Sequence, residues 1–150
     1  MNSKMNRVKI YSKSGELPRY ETENSAGLDL RALLDEPMII KPMERVLIPT
    51  GIFLEIPNGF EGQVRARSGL SIKHGLTMVN GVGTVDSDYR GELKVPMINL
   101  GSEEFKVESG DRIAQIVFAK YETVSFEAVS STEELEKTER GAGGFGHTGR

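Results

Sequence analysis

Residues 76–100 read LTMVNGVGTVDSDYRGELKVPMINL. Two strand-sized apolar runs, Leu76–Val79 and Leu93–Leu100, flank a stretch of glycines and aspartates, the layout of strand, turn and strand. The same layout recurs outward in both directions, in Val8–Tyr11, Met38–Lys41, Val46–Ile48, Ile52–Ile56, Gln63–Ala66, Phe105–Glu108 and Ile113–Lys120. Several of these runs alternate or are rich in β-branched residues, as half-buried strands are. The pairs Pro49–Gly51 and Pro57–Gly59 punctuate them as turns. Pro96 lies inside a run and lacks the N–H a central strand needs, which predicts an edge or bulged strand there. One short helix is predicted over Ser68–His74, with Ser68 as its candidate cap. The whole predicts a single all-β domain, a β-barrel or a two-sheet jelly-roll sandwich.

Composition narrows the function classes. The 150 residues are 37% hydrophobic and 27% charged, ordinary for one globular domain with a proper core. No apolar run reaches the length of a membrane span, and the opening MNSKMNRVKIYSKSG has no apolar signal-peptide core. Without cysteine there is neither a disulfide nor a thiolate metal site, which fits a reducing cytoplasm. The net charge of −3, with basic residues scattered, argues against a nucleic-acid polyanion as partner and leaves a small anionic ligand open.

The last stretch differs from the rest. Ser130, Ser131 and Thr132 lead into the charged Glu133–Arg140, and five of the nine residues 141–149 are glycine. That composition favours a frayed tail. Arg140, Phe145 and Thr148 are nonetheless spaced among the glycines, which leaves open a segment that closes over a ligand, amides on phosphate and ring on base. The predicted division is residues 1–128 as the β domain and 129–150 as the tail.

Gly141, Gly143 and Gly146 spell G-x-G-x-x-G, but no helix can follow with four residues left, so the dinucleotide-fold reading fails. No Gly-Lys pair occurs, so there is no phosphate loop of the G-x-x-x-x-G-K type. Gly83–Gly91, GTVDSDYRG, reads either as a polar hairpin or as a strand end carrying Asp86 into a pocket as general base for a water. Tyr89 would then show its ring face to a sugar. Arg67-Ser68-Gly69 at a helix start is either ordinary capping or an anion grip. Asp29, inside the strand-like run 25–32, is either satisfied by neighbours or faces a hydrated magnesium ion. Gln115 points inward by alternation and needs a partner, which a phosphate or an attacking water would supply. With His74 and His147 as the two histidines, no H-E-x-x-H zinc spacing exists.

Five segments in this order resemble the five motifs of the trimeric dUTPase family: SAGLDLRA at 25–32, RSGLSIKHG at 67–75, NGVGTVDSDYRGEL at 80–93, DRIAQIVF at 111–118 and RGAGGFGHTG at 140–149. The resemblance implies a jelly-roll-like subunit in a homotrimer whose sites are shared between chains. It implies hydrolysis of dUTP to dUMP and pyrophosphate with Mg2+; the expected location is the cytoplasm (host cytoplasm or nucleus if viral). Asn80 and the backbone around Gly83 and Val85 would read uracil, and Tyr89 would exclude a 2′-hydroxyl. Asp86 would activate the water, while Arg67, Ser68, Gly69 and Gln115 hold phosphates from a neighbouring subunit. Lys94 would join the substrate-binding set. Asp29 would sit by the water shell of the metal, which the substrate phosphates otherwise hold. From the tail, Phe145 and Gly146 would cover the base, and Arg140 and Thr148 the terminal phosphates. His147 stands where the family often has a small hydroxyl residue, which would give a phosphate contact some pH dependence. The rival readings are a deoxycytidine triphosphate deaminase, which shares the fold, and a catalytically dead dUTP sensor.

Overall fold

The computed structural model describes residues 6–149. Ten strands build it: β1 (Lys9–Ser12), β2 (Leu28–Arg31), β3 (Met38–Ile40), β4 (Arg45–Glu55), β5 (Phe60–Arg65), β6 (Leu76–Met78), β7 (Gly83–Val85), β8 (Glu92–Asn99), β9 (Phe105–Val107) and β10 (Arg112–Lys120). They form two four-stranded sheets, ordered β1-β4-β8-β6 and β2-β10-β5-β7, and a β3-β9 pair. Every pairing is antiparallel. The inward alternation of each strand feeds one core: Ile48 and Val95 from the first sheet meet Leu30, Val64 and Ile116 from the second. Along β8 the burial alternates residue by residue, with Leu93, Val95, Met97 and Asn99 inward, the period-2 pattern of a strand with one covered face.

Two expectations about the strands change. Pro49–Gly51 does not end a strand; β4 runs straight through it, with a register shift against β8 between Pro49 and Phe53. Gly51 takes φ of +70° there, and the hydroxyl of buried Thr50 donates to the Leu93 carbonyl at 2.6 Å. A bulge absorbs what a turn would otherwise have done. Pro96 in turn lies in β8, an interior strand between β4 and β6, and its register with Leu47 is unbroken. Its carbonyl accepts from Val79 at 3.0 Å, one residue past the end of β6, so its missing donor faces the side where the ladder has already finished.

The helix α1 (Ser68–His74) forms where it is predicted, but the cap position is Arg67 and no side chain caps it. Gly75 ends it at φ +71°, packed so closely on Gly101 that no Cβ fits. The buried amide of Asn99 bonds the Ile40 and Glu103 carbonyls, both at 2.8 Å, and accepts from Gly101, tying β8 to the β3-β9 pair. Beyond β10, Tyr121 donates to the Gly59 carbonyl at 3.1 Å, and from residue 122 every hydrogen bond closes within the segment itself. The ends of the expected two-part division, residues 1–5 and 150, lie outside the described residues.

Candidate active site

Where β7 hands over to β8 the chain makes a tight polar turn, and a cleft of about 510 Å3 opens beside it. Asn80, Gly83, Val85, Asp86, Tyr89 and Lys94 all line it. β7 buries Gly83 and Val85 and leaves Thr84 outward, so Asp86 leaves the strand exposed to solvent at the rim. The space at Gly83 is filled by its neighbours, for a Cβ would stand 3.2 Å from the Asn80 amide nitrogen. The Asp86 carbonyl accepts from the Tyr89 N–H at 3.1 Å, closing the turn, and the Tyr89 hydroxyl donates to the Glu92 carbonyl at 2.9 Å. Arg90 donates to the Ser87 and Tyr89 carbonyls at 2.7 and 3.2 Å, and reaches Glu55 at 3.8 Å. A carboxylate, an aromatic face and free backbone groups thus share one hollow.

A second group forms at the far end of the same sheet. Asp29 on β2 forms ion pairs with Arg67, whose Nε stands 3.2 Å from one carboxylate oxygen, and with Arg112, whose Nη1 stands 3.5 Å from the other. Arg67 also donates to the Arg112 carbonyl at 3.3 Å. The register of β10 shifts between Arg112 and Ala114, a bulge that re-aims Arg112 toward Asp29. Gln115 lies level with both Asp29 and Arg65, and its amide donates to the Ala66 carbonyl at 3.1 Å. Gly27 packs so tightly on the Gln115 side-chain oxygen that a Cβ would collide with it. Two guanidiniums on one carboxylate leave this group net positive, suited to an oxyanion. Ser68 and Gly69 stand exposed on the first turn of α1, next to Arg67.

Strand register keeps the two groups apart. Gly62 pairs with Val85, which sets Asp86 level with Glu61, and Arg67 lies just past the far end of β5, about 15–20 Å away at roughly 3.4 Å per residue. None of Asp29, Arg67, Ser68, Gly69 and Gln115 lines the cleft of Asp86. The tail joins neither group: Arg140, Gly146 and Thr148 line a hollow that the tail makes alone, with Arg140 bonded to the Gly143 carbonyl. Phe145 is fully exposed, and His147 lies against Gly143, where a Cβ would collide with its ring.

The sequence model of the dUTPase family matches residues 13–149. The chain belongs to the dUTPase family. It is 55% identical over 144 residues to the deoxyuridine 5′-triphosphate nucleotidohydrolase of Finegoldia magna, covering 95% of this chain and 99% of that one. The Treponema denticola protein of the same name is 57% identical over 145 residues, covering 95% and 99%. Among solved structures, the dUTPase of Staphylococcus bacteriophage 80alpha with dUPNHPP superposes with a TM-score of 0.84 at 26% identity, covering 97% of this chain and all of that one. An Asp-to-Asn mutant of the dUTPase of phage phi11 of S. aureus, whose structure reveals the coordination of a structural Mg(II) ion, shares the fold with a TM-score of 0.74 at 23% identity, covering 85% of this chain and 99% of that one.

Within this dUTPase chain the sequence reading overlooked three residues. Arg112 is an ordinary cation at a strand head until the pairing of β10 with β2 puts it against Asp29. Arg90 and Gly91 sit in the quoted DSDYRG run, yet their work is local packing that spacing does not reveal. For a metal, no three His, Cys, Asp or Glu side chains converge among the described residues. Both Asp29 oxygens already face arginines, so the carboxylate suits contact with an ion through water better than direct ligation.

Proposed function

We propose that this chain hydrolyses dUTP to dUMP and pyrophosphate as a jelly-roll homotrimer in the cytoplasm. The gathering of Asn80, Gly83, Val85, Asp86, Tyr89 and Lys94 around one cleft carries the reading. Uracil enters between Asn80 and the β7 backbone, whose free N–H and C=O groups match its pairing edge, and Tyr89 stands against the deoxyribose. Asp86 takes a proton from a water whose oxygen forms a bond to the α-phosphorus. The bond from that phosphorus to the bridging oxygen breaks, and pyrophosphate leaves.

The phosphates need cations that this cleft does not itself contain. Because the Arg67 group lies past the far end of β5, a neighbouring subunit supplies Arg67, Ser68, Gly69 and Gln115, and that requirement supports the trimer. Asp29 would contact the Mg2+ through water, and the ion would neutralise charge on the triphosphate. The tail, residues 129–150, closes from another subunit, with Phe145 and Gly146 over the base and Arg140 and Thr148 on the terminal phosphates. The test is pyrophosphate release with magnesium across dUTP, dTTP, dCTP and UTP, with ammonia followed for dCTP. Release from dUTP alone is expected. Ammonia from dCTP would replace the reading with a deaminase, and binding of dUTP without release would replace it with a sensor. A monomeric mass alongside full activity would remove the trimer.

A further inference from the structure

The Tyr89 ring is fixed from two sides, and on one of them it is fixed by a side chain that is missing. Its hydroxyl donates to the Glu92 carbonyl at 2.9 Å, and Arg90 closes the turn behind it through the Ser87 and Tyr89 carbonyls. The chain then passes beneath the ring at Gly91, where a Cβ would collide with the hydroxyl oxygen and stand 2.6 Å from Cζ and 3.0 Å from Cε2. Gly91 is not among the glycines with positive φ, so its backbone conformation suits any residue. Its lack of a side chain is therefore demanded by the ring rather than by the backbone.

We infer that Gly91 is a specificity-determining position: it lets the Tyr89 ring lie flat on the chain with its hydroxyl locked to Glu92, and so sets where the sugar-facing wall stands. The inference rests on the proposed reading that this wall excludes a 2′-hydroxyl. A methyl at 91 must push the ring off its seat and break the lock, because the next residue, Glu92, is paired with Phe53 and the chain cannot simply swing away. A wall that no longer stands against the sugar gives up selectivity of roughly tenfold or more.

The experiment compares kcat/KM for dUTP and UTP in the full chain, in Gly91→Ala, in Tyr89→Ala and in the double variant. Gly91→Ala is expected to lower the dUTP-to-UTP ratio by about tenfold, and to add nothing to the ratio once Tyr89 is alanine. An unchanged ratio, an equal fall for both nucleotides, or a further fall on the Tyr89→Ala background would each overturn the inference. Should Gly91→Ala not fold, Tyr89→Phe removes the lock and keeps the ring; a ratio unchanged there also overturns it. Failure of the unaltered chain on dUTP would instead sink the proposed reaction, so the two failures are distinct.

Discussion

In residues 6–121 backbone groups pair strand to strand and the buried apolar side chains meet in one core; in residues 122–149 every hydrogen bond closes within three or four residues and every apolar side chain faces solvent. Val124, Phe126 and Phe145 would lose nothing by moving, since they touch no core. The body is held by burial and ladder pairing, the tail by local turns alone. A segment with so little holding it orders only when something else supplies contacts. The difference implies that stability is carried by one part of this chain: the body supplies the burial and the ladder pairing, and residues 122–149 supply neither.

The sharpest break in that comparison is a change in the body that spares the fold. Asp86→Asn keeps shape and removes the base, so turnover should fall roughly 100- to 10,000-fold while dUTP still binds and the melting temperature holds. Steady-state turnover beside calorimetric binding decides it, and near-normal turnover removes Asp86 from the role. The converse change is in the core. Ile48→Ala should cost about 2–5 kcal/mol in chemical denaturation, since Ile48 is fully buried. Phe145→Ala should cost less than about 0.5 kcal/mol, since the ring is fully exposed. A comparable loss in both would mean that the tail packs on the body after all.

Removing residues 140–150 should leave the unfolding transition unmoved and still reduce turnover about 100-fold, the scale on which lost positioning acts. If stability falls with activity, the tail is a structural element and the comparison collapses. If neither changes, the tail has no part in the reaction.

These contrasts were unevenly visible in the sequence. The short alternating runs and the glycine-rich end show in composition, because strand period and chain entropy act locally. Pairing does not. Pro49-Thr50-Gly51 has the composition of a turn and sits inside β4, because the Thr50 hydroxyl and a shifted register keep the ladder going. Pro96 reads as an edge or a bulge and is interior in unbroken register, because β6 stops one residue before its missing donor would matter. In the site, Asp86 and Tyr89 could be picked out within one motif, whereas Asp29, Arg67 and Arg112 converge only through the β2-β10 register. That the two groups lie at opposite ends of a sheet follows from strand direction, which no local pattern contains.

The smallest effect concerns how the Asp86–Gly91 turn is joined to the body. Glu55, at the end of β4, bonds Lys9 at 3.0 Å and meets Arg90 at 3.8 Å. The hydrogen bond from Lys9, then the Lys9 and Arg90 charges, hold its carboxyl below the usual value. A carboxylate with a lowered folded pKa adds stability above the unfolded value, and that increment disappears as pH falls through the folded one. Glu55→Gln should therefore trim stability slightly at neutral pH and flatten a little of its acid limb, with no change below the folded pKa. All three partners are solvated, so the pairing is weak and screened by salt. Arg90 also keeps its two carbonyl bonds without Glu55, so the turn should hold and the dUTP-to-UTP ratio should not move. Denaturation curves across pH, with that ratio measured on the same variant, check both halves. A ratio that shifted with Glu55→Gln would mean that the turn leans on the body through this charge, and that the wall at Tyr89 is set from β4 as well as from Gly91.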